Sequence, residues 1–320
     1  MVKIGIVGLG GMGTVHFHNY KHIDGYKVVA AVVNSEAGRK KAEEFGLKVY
    51  ETIKDMLANE AIDCVDVCTP TYLHKEHVME ALKGGKHVIV EKPIALNKQD
   101  AVEMFALAEE KKCLLFVGQV LQFTKETELL REILAEGKFG NPLDGYFWRL
   151  SEEPKWAVDG WLFDREKSGL IPFDLHIHDL DLIISLFGKP KSFSYTSCGR
   201  DGKNHNDAYR FQYQFDGLNV TAEAAWYNAK IPFRAGWRIY FENGLVESNG
   251  EKIVLYPAEG EVETLEIKED ILIPTGINLP PTGMFYRELS HFLECIRKGV
   301  PSDLVPKERV LTVIEILENY

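Results

Sequence analysis

The sequence has fewer basic than acidic residues and no long hydrophobic run. Its 320 residues hold 37 Lys and Arg against 48 Asp and Glu, a formal net charge of -11. Since no basic stripe offsets this balance, a nucleic-acid partner is excluded. No apolar stretch approaches the ~20 residues that cross a bilayer, so a membrane-spanning protein is excluded as well.

Cysteine is scarce in this sequence. The 5 cysteines form no C-x-x-C pair, which argues against a disulfide framework and a structural zinc site and favours a reducing compartment. The segment after Met1 leads directly into a strand-like run without signal-peptide architecture. We therefore expect a cytoplasmic protein.

The first 120 residues alternate apolar runs with segments of helical spacing. Runs rich in Val and Ile predict buried parallel strands at 4–7, 28–33, 64–68, 87–90 and 114–117. Helical spacing lies between them, near 12–24, 36–45, 74–83 and 98–111. This alternation predicts a doubly wound α/β sheet.

After residue 119 the pattern changes. Strands are predicted in succession near 192–198, 207–215, 219–227, 236–242, 245–249, 252–256 and 262–267. Asp216-Gly217, Asn243-Gly244 and Asn249-Gly250 between them are hairpin signals. The order predicts a second, α+β domain with a large, mostly antiparallel open sheet, so we divide the chain into 1–120 and 121–320. The loop at 270–282 is long enough for a lid or an oligomer contact.

The strongest local motif is Gly-Leu-Gly-Gly-Met-Gly, between the first predicted strand and the first predicted helix. Gly8 permits the tight turn, Gly10 lets the backbone approach a pyrophosphate, and Gly13 permits close helix–strand packing. With Gly11 and Met12 they form a candidate dinucleotide-phosphate site at a helix N-terminus. A glycine turn without a ligand is the alternative.

The end of the second predicted strand bears on the choice of cofactor. Asn34 and Ser35 stand where an acid would hold the ribose of NAD, and Arg39 follows closely. A missing acid beside an arginine favours a 2′-phosphate and hence NADP(H). NAD(H) stays open, because Asn34 could bind a plain ribose and Arg39 could be a solvated helix residue.

Polar residues also follow the later strands of this region, at the sheet edge where doubly wound folds bind ligands. Lys92, after the fourth strand, would lie beside the nicotinamide, where a functional role is favoured; a structural lysine paired with Glu91 is the alternative. His74 at a helix start could equally be a cap or a surface residue. The remaining cofactor-binding candidates are Thr69, Pro70, His74, Glu91, Lys92 and Gln119.

A third group of polar residues lies in the second domain. On a helix, Asp174 and His178 are one turn apart on the same face, so the carboxylate can orient the imidazole as a general base. Metal binding is the competitor, because an Asp, His, His and Asp set lies within the eight residues from Asp174 to Asp181. Because a regular helix turns His176 about 200° from Asp174, the four cannot converge, and we predict no metal.

Taken together, these motifs resemble the Gfo/Idh/MocA family of oxidoreductases. The resemblance rests on Gly8 to Gly13, Thr69-Pro70 with His74, Glu91-Lys92-Pro93, Ser168-Gly169 and the D-x-x-x-H run from Asp174 to His178. It implies a Rossmann NAD(P)-binding domain, here 1–120, and a substrate-binding and oligomerisation domain, here 121–320. It also implies that Lys92, Asp174 and His178 form the catalytic set. Leu170, Gln122 and Asn34 depart from the family pattern.

The expected activity is hydride transfer between nicotinamide and a carbinol or carbonyl carbon, and the resemblance implies a sugar, polyol or related polyhydroxy substrate. Two alternatives remain: a non-catalytic dinucleotide-binding regulatory protein and an NAD-dependent glycosidase. An open sheet has a second face to cover, so a homodimer or homotetramer is expected.

Overall fold

The protein consists of two compact units, as described by a computed structural model that covers residues 1–277 and 279–320. The first unit contains Met1–Phe123 and Glu269–Glu315, and the second contains Thr124–Lys268 and Ile316–Tyr320. The predicted boundary at 120 lies close to the division after Phe123. The predicted unbroken second domain, 121–320, differs from this division, because Glu269–Glu315 packs with the first unit.

The first unit is built on a six-stranded parallel sheet. Its strand order is β3-β2-β1-β4-β5-β6, with every neighbouring pair parallel. The strands are β1 (Val2–Val7), β2 (Tyr26–Val32), β3 (Lys48–Tyr50), β4 (Cys64–Val67), β5 (His87–Glu91) and β6 (Leu115–Gly118). Their central residues are almost fully buried, which is why they form continuous apolar runs in the sequence. The predicted doubly wound sheet is confirmed, although β3 was not predicted.

Helices connect these strands. They are α1 (Gly11–Tyr20), α2 (Glu36–Glu44), α3 (Ile53–Asn59), α4 (His74–Lys83) and α5 (Lys98–Lys111). Ser35, Thr52 and Asn97 begin α2, α3 and α5, because each side chain accepts a hydrogen bond from a backbone N–H in the first turn. The short α3 was missing from the predicted pattern.

The first unit is completed from the far end of the chain by α9 (Met284–Lys298). Phe285 on its apolar face packs with Val15 of α1 and with Val120. The Arg287 side chain donates to the backbone carbonyl of Phe123 at 2.7 Å. The loop at 270–282 includes Asn278, which lies outside the described residues, and its ends pair through a bridge between Ile273 and Thr282.

The second unit is built on an eight-stranded, mostly antiparallel sheet. Its order is β14-β13-β12-β11-β7-β10-β9-β8. The strands are β7 (Pro142–Glu152), β8 (Ser192–Cys198), β9 (Ala208–Gln214), β10 (Asn219–Tyr227), β11 (Arg234–Phe241), β12 (Gly244–Ser248), β13 (Lys252–Pro257) and β14 (Glu263–Glu266). The predicted α+β architecture is confirmed. β7 was not predicted, yet it lies inside the sheet and pairs parallel with β10.

One face of this sheet is covered and the other is open. Along β9, Tyr209, Phe211 and Tyr213 are buried while the residues between them are exposed. The helices of this unit are α6 (Lys125–Glu136), α7 (Arg165–Ser168) and α8 (Ile177–Phe187), whereas most of α10 (Lys307–Leu317) belongs to the first unit. Among the described helices, none combines the length and the apolar character needed to cross a membrane.

Candidate active site

The glycine motif forms the predicted turn between β1 and α1. Gly8 has a φ of +91°, and a Cβ on Gly13 would lie 2.0 Å from the Gly8 carbonyl oxygen, so only glycine fits either position. A Cβ on Gly10 would meet no atom within 4 Å, which leaves open space for a ligand beside the backbone. Gly11 begins α1, and Met12 packs against the Val15 cluster. The turn therefore fits a dinucleotide phosphate at a helix N-terminus.

The carboxyl ends of β4, β5 and β6 carry the next candidates along the same sheet edge. Thr69 follows β4, Lys92 follows β5, and Gln119 follows β6. Gln119 is buried, and its side-chain oxygen has no hydrogen-bond partner among the described residues. A buried oxygen of this kind indicates a missing partner. It fits a bound cofactor at this edge.

The adenosine end of the expected cofactor site lies after β2. Asn34 is exposed, and the Ser35 hydroxyl accepts from the Gly38 N–H at 3.1 Å. Arg39 pairs with Glu51 at 2.8 Å on the surface, where such pairs are weak and exchangeable. Lys41 of α2, which was not among the predicted site residues, donates to the Thr14 hydroxyl of α1 at 2.9 Å.

His74 is neither a surface residue nor a simple cap. It is buried at the start of α4, with Nδ1 at 2.8 Å from the Pro93 carbonyl oxygen and Nε2 at 2.8 Å from the Thr69 carbonyl oxygen. The ring thus lies between two backbone carbonyl groups, that of Thr69 just before Pro70 and that of Pro93 just after Lys92. Pro70 begins a short 3-10 turn. A direct contact of His74 with a cofactor remains a prediction.

Beneath this edge lies a buried polar cluster that the sequence argument missed. His16 of α1 contacts Asp66 of β4 through Nδ1 at 2.8 Å and Glu91 of β5 through Nε2 at 3.1 Å. The Tyr20 hydroxyl also donates to Asp66, at 2.8 Å. In the sequence, the only signal for this cluster is that His16 lies about one helical turn after Gly13. That spacing does not identify Asp66 and Glu91, which are distant in the chain, as its partners.

The charge of His16 follows from its neighbours. Burial lowers the pKa of the imidazole, but the Asp66 carboxylate and the Cys68 thiol outweigh burial and hold that pKa well above its ordinary value. Burial, and then the same carboxylate, raise the pKa of the Cys68 thiol. His16 is therefore a buried cation next to Asp66 and Glu91.

In the second unit, the D-x-x-x-H segment departs from a regular α-helix. A π-helical turn, Pro172–His176, precedes α8, which corrects the predicted uniform helix from Asp174. π-Helical turns are frequent at functional sites. Gly169 and Leu170 before it have φ values of +71° and +61°, so Leu170 adopts a left-handed backbone conformation that glycine accommodates more readily.

Burial separates the polar residues of this segment into two groups. Asp174 and His178 are half-buried, as the proposed catalytic role requires, whereas His176 and Asp179 are buried. His176 Nε2 lies 2.5 Å from the Tyr213 hydroxyl. Asp179 accepts from Arg149 through both oxygens, at 3.2 and 2.9 Å. His176 and Asp179 thus have separate protein partners, which argues against a shared metal site.

The turn, the sheet edge and the half-buried Asp174 and His178 define a dinucleotide-binding α/β protein with a second, sheet-based unit. Residues 2–119 match the oxidoreductase family domain with the NAD-binding Rossmann fold, and residues 127–247 match the Gfo/Idh/MocA C-terminal domain. The chain belongs to the Gfo/Idh/MocA family of oxidoreductases.

Relatives with known names are moderately similar. The myo-inositol 2-dehydrogenase of Thermotoga maritima is 31% identical over 191 residues, 59% of this chain and 55% of that enzyme. The 2,7-anhydro-N-acetylneuraminate hydratase of Mediterraneibacter gnavus is 34% identical over 187 residues, 58% of this chain and 50% of that enzyme. The aligned stretches thus span about half the length of these relatives.

Among solved structures, levoglucosan dehydrogenase in complex with NADH and levoglucosan superposes with a TM-score of 0.85. The superposition covers 99% of this chain and 95% of that chain at 20% identity. The two proteins share the fold over nearly their whole length.

Proposed function

We propose that this protein is an NAD(P)-dependent dehydrogenase or reductase that acts on a sugar, a polyol or a related polyhydroxy compound. The observation that carries the proposal is the parallel sheet edge of the first unit. There, the open glycine turn follows β1, Lys92 follows β5, and the orphaned Gln119 oxygen follows β6 of one parallel sheet. Family membership and the named relatives support the class of substrate.

The chain's own residues would hold the cofactor and move a proton. The backbone around Gly10 and Gly11 would receive the pyrophosphate, and Gln119 would donate or accept a hydrogen bond at the nicotinamide end. When bound, the nicotinamide supplies the hydride acceptor or donor. His178 would accept the hydroxyl proton of the substrate, oriented by Asp174, and the Lys92 ammonium would stabilise charge that develops on the same oxygen.

The direct test is the Lys92→Ala variant, with Lys83→Ala as a control because Lys83 is an exposed lysine of the same unit. Activity is assayed as the absorbance change of NAD(P)H with a panel of sugars and polyols that includes myo-inositol and levoglucosan. We expect Lys92→Ala to lose turnover by roughly 100- to 1,000-fold, the usual cost of removing a group that stabilises developing negative charge, and to keep cofactor affinity. Normal turnover in Lys92→Ala contradicts the assignment.

We further propose NADP(H) as the preferred cofactor, with NAD(H) as the alternative. Arg39 can leave its weak surface pair with Glu51 to bind a 2′-phosphate. Fluorescence titration should then give tighter binding of NADPH than of NADH. Arg39→Ala should weaken NADPH roughly tenfold, the loss of one charge-assisted hydrogen bond, and leave NADH unchanged. Tighter NADH binding instead would make Asn34 the ribose contact.

The same proposal includes a cytoplasmic homodimer or homotetramer. Arg238 and Tyr240 of β11 are exposed on the open face of the second sheet, and Tyr240 is 48% exposed. A large open sheet face of this kind is typically covered by another subunit. Light scattering of the purified protein at micromolar concentration tests it, and a monomer contradicts it.

A redox-neutral reaction on a sugar is the second candidate, because one of the relatives is a hydratase. It requires the same cofactor site. Product formation from 2,7-anhydro-N-acetylneuraminate without net change in NAD(P)H absorbance favours this candidate. Stoichiometric NAD(P)H formation or consumption favours the dehydrogenase or reductase.

A further inference from the structure

The residues on either side of Lys92 are each held by a buried imidazole. Glu91 is held through its side chain by His16, and Pro93 is held through its backbone carbonyl by His74. We propose that His16 and His74 are a pair of positioning residues that fix the backbone of Lys92 from both sides. The functional part of this inference rests on the proposed role of Lys92.

On the first side, hydrogen bonds run from the interior to the Lys92 backbone. Asp66 accepts from His16 Nδ1, and His16 Nε2 contacts Glu91 Oε1. The second oxygen of Glu91, Oε2, accepts from the Lys92 N–H at 3.1 Å. Since one carboxylate makes both of the last two contacts, a displaced Glu91 moves the acceptor of the Lys92 N–H.

The composition of this cluster makes His16 difficult to replace. Asp66 and Glu91 are both buried, and two carboxylates in such a place require a cation. A Cβ on Gly118 would lie only 3.4 Å from the Glu91 carboxyl carbon, so Glu91 packs directly against the end of β6. The carboxylate is thus confined on one side by backbone and held on the other by His16.

On the second side, His74 joins the segments after β4 and β5. Its Nε2 lies against the Thr69 carbonyl oxygen and its Nδ1 against the Pro93 carbonyl oxygen. Carbonyl oxygens only accept, so each bond needs a proton on the ring. Burial outweighs the two backbone contacts and Glu91 and lowers the pKa of His74, so the neutral ring donates only one of the two bonds. We assign its proton to Nδ1, which faces Pro93. The bond to Pro93 is the one that positions Lys92.

The two histidines present opposite ring nitrogens to Lys92, which permits a crossed test. The amide nitrogen of Asn replaces Nδ1 of a histidine, and that of Gln replaces Nε2. His16→Gln and His74→Asn therefore keep the bond on the Lys92 side. His16→Asn and His74→Gln keep only the bond on the remote side.

We expect the two variants that lose the Lys92-side bond to lose at least roughly tenfold in kcat, since small displacements of a reacting group cost that much or more. The two that keep it should stay within about threefold of wild type, and cofactor Kd should be unchanged in both His16 variants. Gln is thus the better substitute at 16 and Asn at 74. Equal effects of Asn and Gln at both positions overturn the proposal, because a purely structural role predicts no crossing.

A second readout needs no substrate. The Lys92 amide proton should exchange with solvent at least roughly tenfold faster in His16→Asn than in His16→Gln, with amides of β4 as the internal reference. Equal exchange rates of the Lys92 amide in the two His16 variants overturn the proposed role of His16. If neither His16 variant folds, the His74 pair and its kcat ratio decide. If Lys92→Ala keeps full turnover while amide exchange follows the prediction, the proposed function fails and the positioning survives.

Discussion

His16 and His176 are both completely buried, yet their surroundings give them opposite charge states. His16 lies between the carboxylates of Asp66 and Glu91, and its pKa is held well above the ordinary value despite burial. His176 stacks on Phe211 at 3.7 Å between ring centroids, and burial, with the Arg149 charge, lowers its pKa to about 3. Burial alone thus does not determine the charge of an imidazole, and its hydrogen-bond partners do.

The difference also separates two kinds of support for the proposed catalytic residues. In the first unit a charged cluster ends at the Lys92 backbone. In the second unit the π-helical turn before His178 is held by a neutral chain, in which His176 contacts Tyr213 and the Tyr213 hydroxyl lies 2.8 Å from that of Tyr320. A charged cluster thus supports Lys92, and aromatic packing supports the turn before His178.

The largest expected effect comes from replacing each histidine with phenylalanine. His16→Phe leaves two buried carboxylates without a cation and should cost about 3–5 kcal/mol of unfolding free energy. His176→Phe keeps the stacking on Phe211 and loses one hydrogen bond, which should cost about 1 kcal/mol. Urea unfolding followed by circular dichroism measures both. Equal losses, or a larger loss for His176→Phe, contradict the comparison.

The alkaline side of the stability curve isolates His16. Because the pKa of His16 is raised in the folded state, its protonation stabilises the folded protein fully below about pH 6.5. This stabilisation is lost as pH rises toward the folded-state pKa, and the free energy of unfolding then falls by up to about 1.4 kcal/mol per pH unit. Between pH 7 and 8.5, wild type should therefore lose stability more steeply than His16→Gln. Parallel curves for the two proteins would show that His16 is not a cation.

The acid side isolates His176. A neutral, buried imidazole stabilises the protein above about pH 6.5, and this contribution is lost as pH falls toward its folded-state pKa of about 3. Wild type should lose up to about 1.4 kcal/mol per pH unit more than His176→Phe over this range. Carboxylates titrate in both proteins, so only the difference between the two curves is informative. A constant difference refutes the neutral state of His176.

The smallest expected effect on stability concerns a solvent-exposed ion pair. Arg39 and Glu51 are 42% and 72% exposed, so Glu51→Gln should change the unfolding free energy by less than about 0.5 kcal/mol. A loss of several kcal/mol here would contradict the premise that burial makes the His16 cluster costly to disrupt. Thermal unfolding of the variant beside wild type is sufficient.

The sequence predicts most of the architecture, because the signals are local. Continuous apolar runs mark β2 and β5, the hairpin dipeptide Asn243-Gly244 separates β11 from β12, and the glycine turn between β1 and α1 has strict steric requirements. The candidate residues after each strand follow from the same logic, since parallel strands end at one edge.

Non-local contacts explain what the sequence did not reveal. β7 begins with Pro142 and has Gly145 near its start, so it resembles a turn until β10 and β11 pair with it. The partners of His16 lie 50 and 75 residues away on two strands, and no spacing rule connects them. The π-helical turn at Pro172–His176 inserts a wider turn into an otherwise regular helical pattern.

The most direct test of the comparison is the nitrogen-15 NMR spectrum of the histidine rings at pH 7.5, assigned with His16→Gln and His176→Phe. We predict that both ring nitrogens of His16 carry a proton, whereas His176 has one protonated and one bare nitrogen. A bare nitrogen on His16 would contradict the account, because the two buried carboxylates beside Lys92 would then lack the cation that holds them.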